Sequence, residues 1–221
     1  MKVVLRIGGS ILGSPPDPGV VNGYSEVVSE LTGEGHVLAV IVGGGSLSRK
    51  YIDSAKKVGL SSFHQDLIAI HTSRLNARLV AMKLGGVSSV PTSINSMLLR
   101  LSRNRVAVMG GLKPGITTDT VAAILAQKWG GDFLIKGSNQ KGIYTADPSV
   151  DKKAKKLDSI SYAKMKEILG GKHKPGIHSI VDPVAVDLLI QSKVKLIVLD
   201  GKDPKNVLKA VRGIKIGTLV S

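Results

Sequence analysis

The chain has 221 residues, is 43% hydrophobic, carries a net charge of +15 and contains no cysteine. That size suits one large domain or two lobes sharing a core, and the lack of cysteine excludes disulfide scaffolds, cysteine-ligated zinc and thiol nucleophiles. No apolar run reaches the roughly 20 residues that cross a membrane, and the opening apolar stretch is too short for a secretory leader, so we expect a soluble, cytoplasmic protein with no membrane partner.

Val3–Ile7 predicts a buried strand that ends at Gly8-Gly9-Ser10. Val20–Leu31 has the period of a helix, and Val37–Val42 is a second buried strand stopped by Gly43-Gly44-Gly45. Ser46–Val58 and Asp66–Leu84 predict helices, the second with Leu67, Ile70, Leu75, Leu79 and Met82 as its apolar face and Gly85-Gly86 as its stop. A short strand over 87–90 and a helix over Ile94–Leu101 follow. Arg105–Met109 predicts a strand ending in Gly110-Gly111, and Thr117–Trp129 a helix capped by threonine or aspartate. Phe133–Ile135 is a strand, followed by a long polar loop to Pro148. Helices over Tyr162–Leu169, Val184–Gln191 and Pro204–Val211, a strand over Val194–Leu199 and an edge strand over Thr218–Val220 complete the chain. Gly170–Gly176 is expected to be the most mobile loop.

Continuous apolar strands separated by helices predict an α/β fold with a mostly parallel sheet covered on both faces. The best boundary falls near residue 132, giving lobes 1–131 and 132–221. The positive charge points to anionic partners. Aromatic residues make up only 3% of the chain, too few for the stacking platforms of single-strand binders, so no nucleic-acid partner is expected.

Three strands end in glycine pairs or triplets, and ligands of an open parallel sheet sit beyond the carboxyl ends of its strands. Glycine lets backbone amides approach an anion there, and a following helix start adds partial positive charge. Neither G-x-x-x-x-G-K-[ST] nor G-x-G-x-x-G occurs, so the phosphate-binding device is neither a P-loop nor a dinucleotide fingerprint. The five histidines form no i, i+4 pair, which argues against a metal site.

Arg6-Ile7-Gly8-Gly9-Ser10, Gly43-Gly44-Gly45 with Arg49, Met109-Gly110-Gly111, Pro114-Gly115-Ile116-Thr117-Thr118-Asp119 and Gly142-Ile143-Tyr144-Thr145-Ala146-Asp147-Pro148 together resemble the amino acid kinase superfamily. Within it the pattern is most similar to the archaeal-type uridylate kinases, over nearly the whole chain. The resemblance implies a three-layer α/β/α sandwich, an N-terminal acceptor lobe, a C-terminal ATP lobe and a homohexamer. It also implies transfer of the γ-phosphoryl of ATP, carried with Mg²⁺, to UMP, giving UDP and ADP in pyrimidine nucleotide biosynthesis.

Carried onto this chain, the resemblance assigns Arg6, Asp119 and Lys136 to catalysis. Gly9, Ser10, Gly45, Arg49, Ser138, Asn139, Tyr144 and Asp147 fall to ATP. Gly44, Asp66, Pro114, Gly115, Ile116, Thr117 and Thr118 fall to UMP, with Asp66 on the ribose hydroxyls. The chain departs from the family pattern at Arg6, where lysine is usual, at Lys141, where aspartate is usual, and at Leu112, where threonine is usual. Another acceptor within the same fold, a non-catalytic nucleotide-binding regulator and, on charge alone, a nucleic-acid module are the competing readings.

Overall fold

The computed structural model describes residues 1–85, 89–170 and 181–221. Strands β1 (Lys2–Ile7), β2 (Val37–Val42), β3 (Val106–Met109), β4 (Phe133–Ser138), β5 (Ser159–Ile160), β6 (Lys195–Asp200) and β7 (Thr218–Val220) form one sheet in the order β3-β2-β1-β4-β6-β7-β5. All neighbours are parallel except β6 and β7. The helices are α1 (Gly9–Leu12), α2 (Pro18–Gly33), α3 (Gly45–Lys57), α4 (Ser62–Gly85), α5 (Ile94–Leu101), α6 (Thr118–Trp129), α7 (Tyr162–Gly170), α8 (Pro183–Ser192) and α9 (Lys205–Val211).

Successive strand residues point to opposite faces, and here both faces are apolar. Val3, Leu5 and Ile7 of β1 and Leu38, Val40 and Val42 of β2 pack with α1, α2, α4 and α9. Val4, Ala39, Ile41 and Leu134 face the other way and pack with α5, α6, α7 and α8. The result is the expected three-layer α/β/α sandwich. Each fully buried leucine, isoleucine or valine contributes roughly 1.5–3 kcal/mol, so the two cores hold the sheet rigidly.

Local signals set most helix ends. Asp17 accepts from the Gly19 and Val20 amides at 2.7 and 3.1 Å and Pro18 occupies the first helical position, so α2 starts two residues before the expected Val20. Thr117 caps α6 through the Asp119 and Thr120 amides, and Gly130 ends it in the left-handed region.

Several expectations fail for physical reasons. α4 does not bury Leu75, Leu79 and Met82, which are 59%, 42% and 46% exposed. Its buried face is the expected Ile70 with Thr72, Ser73, Asn76, Ala77, Val80 and Ala81, mostly small residues that let the helix lie close to the glycine turns. It also begins at Ser62, so Asp66 sits in its second turn and is no helix cap. Thr218–Val220 is paired on both sides, and the edge is the unforeseen β5 from the polar segment. Ser89 and Val90 are not in a strand, and 86–88 and 171–180 lie outside the described residues, as does most of the expected Gly170–Gly176 loop.

Candidate active site

The strand order reverses between β1 and β4, and at such a switch point the connections beyond the strand ends diverge and leave a crevice. Arg6 of β1 and Lys136 of β4 are partners in register there. Each lies two residues after a core residue, Val4 or Leu134, so both side chains emerge on the α6 side of the sheet. Lys136 was expected just past a strand ending at Ile135; the strand runs on to Ser138 and its ammonium is buried.

Asp119, in the first turn of α6, meets both cations. Arg6 Nε lies 2.7 Å from Asp119 Oδ1, and Lys136 Nζ donates to Asp119 Oδ2. Arg6 Nη2 also donates to Thr118 Oγ1 at 3.1 Å. Asp119 and Lys136 are only 8% and 7% exposed, so these charges interact with little screening. Burial pushes the Asp119 carboxyl up, but Arg6 and Lys136 outweigh it and hold it below the usual carboxylate range. Burial pulls the Lys136 ammonium down to about 8; Asp119 opposes the fall and Arg6 adds to it. Two cations thus share one carboxylate, an arrangement one negative charge short of balance.

The glycine turns after β1 and β2 lock together. A Cβ on Gly9 would sit 2.6 Å from the Gly43 carbonyl oxygen, and Gly45 takes φ +66° against the Gly9 backbone. The third turn serves another purpose than the expected anion cradle. A Cβ on Gly110 would lie 2.7 Å from the Arg74 nitrogen, and the Gly111 amide donates to Ser73 Oγ at 2.7 Å. Those glycines let α4 approach the sheet, and the Gly111 amide is taken up by Ser73.

The loop from Gly111 to Thr118 is held by α4 and α8. Arg74 donates to the Gly111 and Leu112 carbonyls at 2.9 and 3.0 Å, and Asp66 Oδ2 accepts from the Gly115 amide at 2.8 Å. Leu112 turns its side chain into the core on the α6 side, which accounts for an apolar residue there. Asp182, the N-cap of α8, accepts from Thr117 Oγ1 and from Thr120 Oγ1. Pro114, Gly115, Ile116, Thr117 and Thr118 therefore form one wall that reaches Arg6 through Thr118.

On the other side of Arg6 and Lys136 lies a cavity of about 810 Å³, lined also by Gly8, Ser10, Ser138, Asn139, Tyr144 and Asp147. Four candidates from the C-terminal segment thus converge with the two cations. Ser138 Oγ both donates to the Gln140 carbonyl and accepts its amide, closing the turn after β4. Asp147 Oδ1 accepts from Ser149. Arg49 is exposed one turn into α3 and does not line the cavity, and Lys141 is exposed on the loop. Among the described residues no three histidine, aspartate or glutamate side chains gather to hold a metal.

Reading residues along the chain missed Ser73, Arg74, Asn76, Thr120 and Asp182. The Asp182-Pro183 pair is a helix-start signal and marks the N-cap, but its link to α6 exists only in three dimensions. Thr72-Ser73-Arg74 and Asn76 interrupt the apolar pattern of α4, the one hint that its inner face is polar.

A switch-point crevice with one buried and one partly buried cation, and glycine turns in place of a P-loop, defines a site for anionic substrates. The sequence profile of the amino acid kinase family matches residues 1–200, and the chain belongs to that family. It is 37% identical over 221 residues to the uridylate kinase of Hyperthermus butylicus, covering 99% of this chain and 97% of that one. It is 40% identical over 222 residues to the uridylate kinase of Halorubrum lacusprofundi, covering 99% and 92%. The crystal structure of uridylate kinase from Archaeoglobus fulgidus superposes over all of both chains with a TM-score of 0.91 at 35% identity.

Proposed function

We propose that the protein is a uridylate kinase that moves the γ-phosphoryl of Mg²⁺-bound ATP to UMP. A phosphate oxygen of UMP attacks the γ-phosphorus, the bond from that phosphorus to the β,γ-bridging oxygen breaks, and UDP and ADP leave. The attacking oxygen is already ionised at neutral pH, so no side chain must act as a base. The protein's work is alignment and charge compensation. The observation that carries this reading is the Arg6–Asp119–Lys136 cluster, whose surplus positive charge lies between the Gly111–Thr118 wall and the Ser138–Asp147 cavity.

In this reading residues 1–131 hold the acceptor and 132–221 hold ATP. Ser10, Ser138, Asn139, Tyr144 and Asp147 hold ATP in the cavity, and Gly9, Gly45 and Arg49, which do not line it, are assigned to its phosphates. Gly44, Asp66 and Pro114–Thr118 face UMP, with the Asp66 carboxylate exchanging or sharing its Gly115 partner with the ribose. Asp119 positions Arg6 and Lys136, each of its oxygens facing one cation, and Mg²⁺ enters on the phosphates of ATP. We assign the reaction to the cytoplasm, a compartment that supplies ATP. An acceptor panel with Mg²⁺ and ATP tests the assignment: UMP should be phosphorylated well above CMP, AMP and small carboxylic acids. Comparable turnover of another acceptor, or none with UMP, overturns it.

The same reading extends to self-association. Leu75, Leu79 and Met82 form an exposed apolar stripe on the C-terminal half of α4. We assign this stripe to a contact between copies, one of those in the expected hexamer. Leu79→Glu should lower the particle mass seen by light scattering; an unchanged mass would remove the stripe from the assembly.

A further inference from the structure

We propose that Asn76 is a positioning residue for phosphoryl transfer, acting through the Gly43–Gly44 turn. The inference rests on the uridylate kinase reading and adds a residue to which that reading gives no role.

Asn76 is 3% exposed on the inner face of α4. Its Nδ2 donates to the Gly43 carbonyl at 3.0 Å and to the Gly44 carbonyl at 3.4 Å. A peptide group is planar, so fixing its carbonyl fixes the direction of the following amide. Drawing the Gly43 and Gly44 oxygens toward α4 turns the Gly44 and Gly45 N–H groups away from α4, to the side on which the Gly9 turn packs. Those N–H groups belong to the cap and first position of α3, where no residue one turn earlier in the helix can accept from them. No side chain caps α3 either. The turn therefore keeps donors ready for an anion, and a buried amide from another helix sets their aim.

The neighbouring geometry makes this aim matter. Gly43 and Gly45 pack on Gly9, so the β1 and β2 turns cannot move independently. Arg6 Nη2 lies 3.4 Å from the position of a Cβ on Gly43, so the same turn borders the catalytic cation. A buried apolar or acidic side chain at position 76 would leave the Gly43 carbonyl without its donor and the Gly44 carbonyl with the Ser48 amide alone, or set an acceptor against both. The turn would relax, and the donors would lose their preorganised direction.

The test compares Asn76→Ala, which deletes the donor, with Asn76→Asp, which keeps the shape but supplies acceptors. Val80→Ala, one turn along the same buried face, sets the scale of destabilisation alone. Wild-type turnover of UMP with Mg²⁺ and ATP is measured first. An inactive wild type removes the uridylate kinase reading itself. With an active wild type, we expect both Asn76 variants to lose kcat by about 10²-fold, as for removal of one preorganised donor. Their KM values should stay within about threefold, because alignment in the transition state is lost rather than ground-state binding. Val80→Ala, even with an equal or larger fall in Tm, should keep kcat within about twofold. The inference is overturned if kcat of the Asn76 variants follows Tm as it does in Val80→Ala, or if the loss lies wholly in KM. Failure of both variants to fold, with Asn76→Ser folded and fully active, would overturn it as well.

Discussion

Arg6→Ala should lower kcat by roughly 10³-fold or more while the protein stays folded. The fold should survive because Asp119 keeps Lys136 as a partner, so no carboxylate is left buried alone. Removing Arg6 also removes a positive neighbour that pulls the Lys136 ammonium down, so Lys136 should hold its proton more firmly. Activity should fall nonetheless, because the cluster changes from two cations on one carboxylate to a neutral pair. The surplus charge that offsets the transferring phosphoryl group is then gone. Steady-state kinetics with UMP and Mg²⁺-bound ATP, with a melting curve beside them, make the check. Turnover near that of the wild type in a folded variant would remove Arg6 from the mechanism. Arg6→Lys is a useful partner experiment. It keeps the charge against Asp119 but loses the second branch that donates to Thr118. It should therefore retain far more activity than Arg6→Ala.

Asp119→Asn should damage both folding and catalysis. It leaves Arg6 and Lys136 side by side in a buried site with no anion between them. Removing one partner of a buried ion pair costs about 3–5 kcal/mol. Losing the Asp119 charge should also move the Lys136 ammonium below its value of about 8, since that charge is what opposes burial. For kcat/KM, which reports the free enzyme, the wild type should lose activity as pH rises through about 8. The variant should lose it at lower pH. The stability effect has the opposite slope. Between the depressed folded value and the ordinary lysine value, the unfolded chain binds more protons, so stability rises with pH. The deficit of Asp119→Asn relative to wild type should therefore shrink as pH rises. A deficit that grows with pH, or an unmoved basic limb, would contradict this account of the cluster.

The alternation of apolar strands and helices was legible along the chain, because burial on both faces of a sheet demands continuous hydrophobic runs. So was the threonine cap of α6, Thr117, which depends on one or two residues. Much of the candidate site was legible for a different reason. Its glycine turns, Arg6, Asp66, the Pro114–Asp119 loop and the Tyr144–Asp147 loop are short local patterns that resemble a family. α4 shows where such reading ends. Its leucines and methionine have the spacing of a core stripe, yet they face outward, and serine, asparagine and alanine face the turns.

Sequence by itself determined most of the strands and helices, that both sheet faces are covered, and which types of side chain could meet a phosphate. Those properties follow from local periodicity, from the missing Cβ of glycine and from charge, all of which are carried by neighbours along the chain. Only the tertiary structure decided that Arg6 and Lys136 lie in register across a switch point and share Asp119. It also decided that Asn76, Arg74 and Asp182 hold loops more than 30 residues away. These contacts depend on strand order and on how closely one helix packs to a sheet edge, and no local pattern encodes either.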